Sequence, residues 1–261
     1  MTPFAMTSNS QFRVPPPVSM NSPEYTADYN EILCLGRAEN SCRTPEQSDI
    51  ARFWAGSDVV HWNTIAQQMA MHDPGTLLDH ARLFALLNIT LADAVISAWD
   101  GKRYYSSIPD GVHHAGWRPV HAIPLAHQTG NPNTIPDPTW TPFLVTPAHP
   151  EYPASHPTTT GAASTLLALY FGDRRSFIFE SDTLPGRPRS FTSFSQAAAE
   201  VTEARLYAGL HFRTSSDRSQ KGGANIAIGL WRLRAWSTRM RRINCAAMAK
   251  KCVRSFQPAL S

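Results

Sequence analysis

The stretch that decides the fold is "TLLDHARLFALLNITLADAVISAWDGK", residues 76–102. Its apolar residues Leu77, Ala81, Phe84, Leu91, Val95 and Trp99 recur at helical spacing, and neither proline nor an interior turn signal breaks the run. A helix this long and apolar around much of its girth is expected at the centre of a helical bundle. Helix signals surround it. "SPEYTADYNEILCLG" (22–36) opens with Ser22 as N-cap and Pro23 at the first helical position, and closes at Gly36. "TPEQSDIARFWAG" (44–56) repeats the device with Thr44, Pro45, a capping box completed by Gln47, and Gly56 as the stop. "DVVHWNTIAQQMAMH" (58–72) ends at Asp73-Pro74-Gly75. Two more helices are expected in "TTTGAASTLLALYFG" (158–172) and in "SFSQAAAEVTEARLYAG" (193–209), the latter capped by Ser193 with Gln196 three residues on. Strand signals are few, so the expected class is all-α.

One segment departs from this pattern. Ten of the 21 prolines fall between Pro119 and Pro157, which excludes long helices there. A loop of that length inside a compact chain is usually functional. The expected architecture is therefore a helical bundle with a long proline-rich loop carrying part of the active site.

The 261 residues suit one core, and 42% hydrophobic with 17% charged residues describe a globular chain. No run of eighteen apolar residues occurs, so no transmembrane segment is expected. The start shows no secretory signal, and the compartment stays undetermined. Net charge is +4, yet eight Lys or Arg and no acid follow Leu230, leaving −4 on everything before. Leu233, Trp236, Met240, Ile243 and Ala247 keep helical spacing within this basic end. It reads as the final helix of the fold with a basic outer face, dividing the chain into 1–229 and a basic helix and tail at 230–261, with no nucleic-acid partner expected. Cys34, Cys42, Cys245 and Cys252 lack Cys-x-x-Cys spacing and read as ordinary thiols, with a long-range disulfide left open.

Three clusters carry chemistry. "AWDGKRYY" and "GWRPVHAI" hold Lys102, Arg103 and Arg118; "HPEYPASHP" (149–157) places His156 at the mouth of a helix; "EARLYAGLHFR" (203–213) holds Arg205 and His211. A helix start offers unpaired N–H groups and the positive end of the macrodipole, where anions settle. Positions six apart share a helix face poorly, so a helix ending near Gly209 is needed to turn His211 back toward Arg205. Cations and histidines converging on one point would cradle a tetrahedral oxyanion, each charged donor contributing about 1.5–3 kcal/mol.

These motifs resemble, in order, the signature shared by vanadium-dependent haloperoxidases and type 2 phosphatidic acid phosphatases: Lys-x6-Arg-Pro, Pro-Ser-Gly-His, Arg-x5-His. The likeness spans nearly the whole chain, including "TPFAMTSNSQFRVPPP", "GNPNTIPDPTWTPFLVTPAHPEYP" and "RSFTSFSQAAAE", and is closest to haloperoxidase-like members. It implies a vanadate cofactor with Lys102, Arg118 and Arg205 on its oxygens and His211 as the ligand bonded to vanadium. His156 would be the acid and base when hydrogen peroxide enters, and the product would be an oxidised halide. On the same frame an acid phosphatase would use His211 to attack a phosphomonoester, forming a phosphohistidine, while His156 protonates the leaving group. The third reading is a truncated, inactive relative.

Four departures from the family pattern matter. Ala154 and Ser155 stand where the family has serine and glycine, leaving Ser155 to supply a hydroxyl or backbone donor. Fifteen residues separate Lys102 from Arg118 where the family has six, because "SSIPDGVHHAG" (106–116) intervenes, and Lys102 reaches the site only if that insertion loops outward. The family's aspartate four residues after the axial histidine is Ser215, so Asp217 is expected to orient the His211 ring across a two-residue shift. Last, the family carries a helical stretch ahead of the segment where this chain begins. A missing half would expose apolar faces and favour poor solubility or a homodimer. Among other histidines, His113 and His114 are expected in solvent, His61 packed beside Trp62, and His72 and His80 in a turn. His121 and His149 are expected to be structural, with His149 near the site entrance.

Overall fold

A computed structural model of the chain describes residues 1–108 and 115–254, with side chains as far as residue 233. Among the described residues there are eight α-helices: α1 (Pro23–Leu35), α2 (Pro45–Phe53), α3 (Asp58–Met71), α4 (Leu77–Ser106), α5 (Pro119–Ala122), α6 (Ser155–Phe171), α7 (Phe194–Tyr207) and α8 (Arg213–Arg254). One short antiparallel hairpin, β1 (Phe177–Phe179) with β2 (Arg189–Phe191), sits between α6 and α7. The fold is an all-α bundle.

The caps that the sequence advertises are formed. Ser22 accepts from Tyr25 N, the Thr44–Gln47 box closes in both directions, and Ser193 accepts from Gln196 N. α4 has a box of its own between Thr76 and Asp79. α2 stops at Phe53, short of Gly56, because Trp54 turns away to pack on Phe53 and Phe179.

The centre of the bundle is α6 and not α4. α6 packs on α8, α4, α7 and α3, and ten of its residues from Pro157 to Leu167 are buried. The α6–α8 approach depends on two glycines. A Cβ on Gly161 would lie 2.0 Å from Gln220 O, and one on Gly223 would lie 1.8 Å from Thr158 O. α4 buries only part of the apolar series read from sequence: Leu91 points inward together with Leu83, Leu87, Ala94, Ala98 and Lys102, while Leu77 is 87% and Trp99 46% exposed. Small polar residues, Thr90, Asp93 and Ser97, share the inward side. Asp93 explains itself there, since its carboxylate accepts the backbone N–H groups of Phe4, Ala5 and Met6 and ties down the start of the chain. Met71 and Leu78 are exposed beside Leu77 at the α3–α4 turn.

The proline-rich segment is ordered. Beyond α5 and one 3-10 turn at Ala126–Thr129 it has no regular structure. Its polar groups are satisfied from α1 and the end of α7 instead. Tyr29 donates to Ile135 O at 2.6 Å, Trp140 Nε1 to Leu33 O at 3.1 Å, and Leu144 N to Ala208 O at 3.0 Å. Trp140 itself is buried in a core with Tyr29, Ile32, Leu206 and Phe212. Every such bond fixes backbone that leads toward residues 149–156.

Two sequence expectations change. Cys34 and Cys42 are joined in a local disulfide with Cα atoms 5.6 Å apart, so these two are not free thiols. Spacing alone gave no reason to pair them; the turn after α1 brings them together. Cys245 and Cys252 have side chains outside the described residues, as do those of Trp236, Met240, Ile243 and Ala247. Helix α8 runs through Leu230 without a break.

Candidate active site

Three elements end at one place. α4 brings Lys102 there near its C-terminal end, the loop before α5 brings Arg118 as an N-cap residue, and the end of α7 brings Arg205. All three are buried: 1%, 1% and 3% exposed. Their charges act on one another: burial first, then Arg118 and Arg205, hold the Lys102 ammonium below its usual range. Lys102 Nζ lies on the carbonyls of Pro150 and Glu151; residues 109–114 of the insertion, with His113 and His114, lie outside the described residues.

Gly209 does the work expected of it. At φ 75° it takes the left-handed conformation that glycine tolerates, and Leu210 N and His211 N both turn back onto Arg205 O. His211 is buried with both ring nitrogens bonded. Nδ1 lies 2.9 Å from Glu151 Oε1, and Nε2 lies 2.9 Å from Arg118 Nη1. A guanidinium can only donate, so Nε2 must accept and Nδ1 carries the proton, given to the carboxylate. Burial first, then Arg118, Lys102, Arg205 and His156, push the imidazolium well below its ordinary range. The ring is neutral, with its lone pair at Nε2.

The residues flanking Arg118 belong to the proline-rich loop. Nε donates to His149 O at 3.1 Å, Nη2 meets His149 Nδ1 at 3.0 Å, and Nη1 also donates to Leu210 O at 2.8 Å. Lys102 Nζ donates to Pro150 O at 2.6 Å and Glu151 O at 3.2 Å. Burial and the Lys102 charge lower His149 to about 4.

His156 is the second residue of α6, after Ala154 as N-cap and Ser155. Ala154 has no side chain to cap the helix, and Pro157 has no N–H, so the first turn leaves the N–H groups of Ser155 and His156 as its donors. His156 Nε2 donates to Gly56 O at 3.1 Å, which leaves Nδ1 as the acceptor. Burial, then Arg205, lowers His156 to about 3. Asp58, at the start of α3, receives the hydroxyl of Thr159 on α6 and faces the Arg205 charge; burial raises it to about 6.

Two polar atoms here are buried without a hydrogen-bond partner: Ser155 Oγ and Arg205 Nε. An unmet buried donor costs about 1–3 kcal/mol, and more when charged. Among the described residues no group of three or more His, Cys, Asp or Glu could hold a bare metal cation. The donor set is cationic, with lone-pair nitrogens at His211 Nε2 and His156 Nδ1. It suits a small oxyanion.

A family model described as the VCPO second helical-bundle domain matches residues 82–237. The chain belongs to this family. Over 194 residues it is 27% identical to vanadium chloroperoxidase of Curvularia inaequalis, a match covering 64% of this chain and 31% of that one. The crystal structure of a bacterial vanadium-dependent iodoperoxidase superposes with a TM-score of 0.71 at 29% identity, over 88% of this chain and 55% of the other. A holo-type bacterial vanadium-dependent chloroperoxidase gives 0.66 at 18% identity over 88% and 52%, a likeness of fold. The chain thus spans about half or less of the length of these relatives.

Lys102, Arg118, Arg205 and His156 all act electrostatically on His211, and Ser155 precedes His156 in the first turn of α6. Asp217 does not serve His211: it is half-buried on α8 among the charges of Arg213, Lys221, Glu203 and Glu31, while Glu151 holds Nδ1. A two-residue shift along a helix rotates a side chain by about 200°, to the far side. His121 is exposed, and His61 is buried against Trp54 and Phe179 with Asp182 on Nε2. Sequence reasoning missed Glu151, Asp58 and the contact of His149 with Arg118. The signal for Glu151 was an acid inside "HPEYPASH", flanked by prolines that rob it of mobility.

Proposed function

We propose that this chain carries the vanadate site of a haloperoxidase that oxidises halide with hydrogen peroxide. The observation that carries this reading is the neutral His211 ring, held with its lone pair at Nε2 in the midst of Lys102, Arg118 and Arg205. Those three cations would hold vanadate oxygens, with Ser155 Oγ and the α6 N–H groups beside them, and His211 would bond the central atom. Vanadate, when bound, supplies an electrophilic centre that activates peroxide toward halide.

The protein's part is to bind, orient and move protons. Fixed cations stabilise charge on the oxyanion with no reorganisation at the moment of reaction. Arg118 holds its guanidinium by carbonyl contacts at His149 and Leu210, so its remaining donors keep one direction. His156, neutral with Nδ1 free of the Gly56 bond, can take a proton from an incoming peroxide and return it to the oxygen that leaves. Neutral His211 cannot compete for that proton while Nε2 is engaged.

The test is purified protein loaded with orthovanadate and assayed with peroxide and bromide, beside a phosphomonoester hydrolysis assay without vanadate. Halogenation that requires vanadate is expected. Phosphatase turnover without halogenation would put the phosphohistidine reaction in its place. Tight vanadate binding with neither activity would make the chain an inactive relative.

A further inference from the structure

We infer that Glu151, from the proline-rich loop, is the positioning residue that, opposite the Arg118 donor at Nε2, holds the His211 proton on Nδ1 and thereby maintains the anion-binding power of Nε2. The inference rests on the vanadate reading above for its consequence, and on this chain's own geometry for its cause. Glu151 Oε1 accepts from His211 Nδ1 at 2.9 Å and from Phe212 N at 3.2 Å, so the carboxylate grips both the ring and the backbone beside it. It is 4% exposed. Nothing else among the described bonds reaches Nδ1. An imidazole freed of such a partner can move its proton to Nε2, and a protonated Nε2 can neither accept from Arg118 nor bond a central atom.

The location of this carboxylate adds a second element. His149, Pro150 and Glu151 are consecutive, and between them they take Arg118, Lys102 and His211: Arg118 on His149 O and Nδ1, Lys102 on the Pro150 and Glu151 carbonyls, His211 on the Glu151 carboxylate. One stiff tripeptide thus aligns three groups that come from α4, the α5 cap and the end of α7. Ser215, one helical turn after His211, lines the same small cavity as Glu151 and has no carboxylate to offer. Orientation of His211 is the loop's task here and not that of α8.

The experiment compares wild type with Glu151→Ala and Glu151→Gln, all verified as folded by circular dichroism. The ¹⁵N resonances of the His211 ring report which nitrogen is protonated, and titration with orthovanadate alone reports affinity. Wild type should show Nδ1 protonated and Nε2 not. The alanine variant should shift protonation to Nε2 and bind orthovanadate about 10–100-fold more weakly. The glutamine variant keeps a neutral acceptor of the same shape and should lose less affinity than alanine. If alanine does not fold, glutamine carries the test through its loss of affinity. Protonation on Nε2 in wild type, or unchanged ring state and affinity in the variants, overturns the inference. A wild-type ring protonated on Nδ1 in a protein that binds no vanadate upholds the role of Glu151 and sinks the haloperoxidase reading instead.

Discussion

Arg118 and His211 are in direct contact: Nη1 donates to the Nε2 lone pair at 2.9 Å. The site thus stores its cation on the very atom that a central metal would take. Ligand entry must shift that one bond, while the carbonyl contacts of Arg118 at His149 and Leu210 can stay.

Arg205 has a buried Nε without a hydrogen-bond partner, which a ligand could meet. Replacing Arg205→Ala should weaken orthovanadate binding by about 1.5–3 kcal/mol, on the order of 10–150-fold. Calorimetric titration checks this. An unchanged affinity would remove Arg205 from the site.

His156 is held neutral down to about pH 3 by burial and by Arg205. A bound anion offsets the Arg205 charge, so the His156 pKa must rise on binding and protons must be taken up in weakly acidic solution. Titrations near pH 5 in two buffers of different ionisation enthalpy should show net proton uptake, absent in His156→Gln.

Gly209→Ala meets two obstacles. The φ of 75° disfavours any Cβ by about 1–2 kcal/mol, and this Cβ would lie 2.3 Å from Gly36 O. Stability in urea should fall by more than about 2 kcal/mol, with loss of anion binding because His211 follows directly.

Ala154→Ser would place a hydroxyl on the uncapped start of α6. An N-cap serine in place of alanine stabilises a helix by about 1 kcal/mol. The variant should gain that stability in urea. A loss of stability would mean that the fully buried Ala154 site has no room for the extra atom.

Asp28 is buried under Thr214, and burial raises its pKa to about 6 from 3.8. A raised acid binds more protons folded than unfolded between those values, so its carboxylate destabilises the fold above pH 6 and the penalty vanishes below about pH 4. Asp28→Asn should therefore raise the melting temperature at pH 8, by no more than about 3 kcal/mol of stability, and change little at pH 4.

Local chemistry was legible in the chain. Caps such as Ser22, Thr44 and Ser193, the prolines that break helices after Arg118, and the glycine that turns the chain before His211 each act within a few residues, so the all-α class was legible from them, while the expected oxyanion-binding residues came from the order of three motifs. What the sequence could not rank were contacts made across the fold. Which face of α4 turns inward was decided by the approach of α6, which favours Leu83, Leu87 and Ala98 and leaves Leu77 outside. Glu151 displaced Asp217 as the partner of His211 for the same reason. A residue 60 positions away, on a loop pinned by Tyr29 and Trp140, lies 2.9 Å from the ring, while the acid six positions along the chain is turned aside by the pitch of α8. Hydrogen bonds depend on distance in space, and only the packed chain sets that distance.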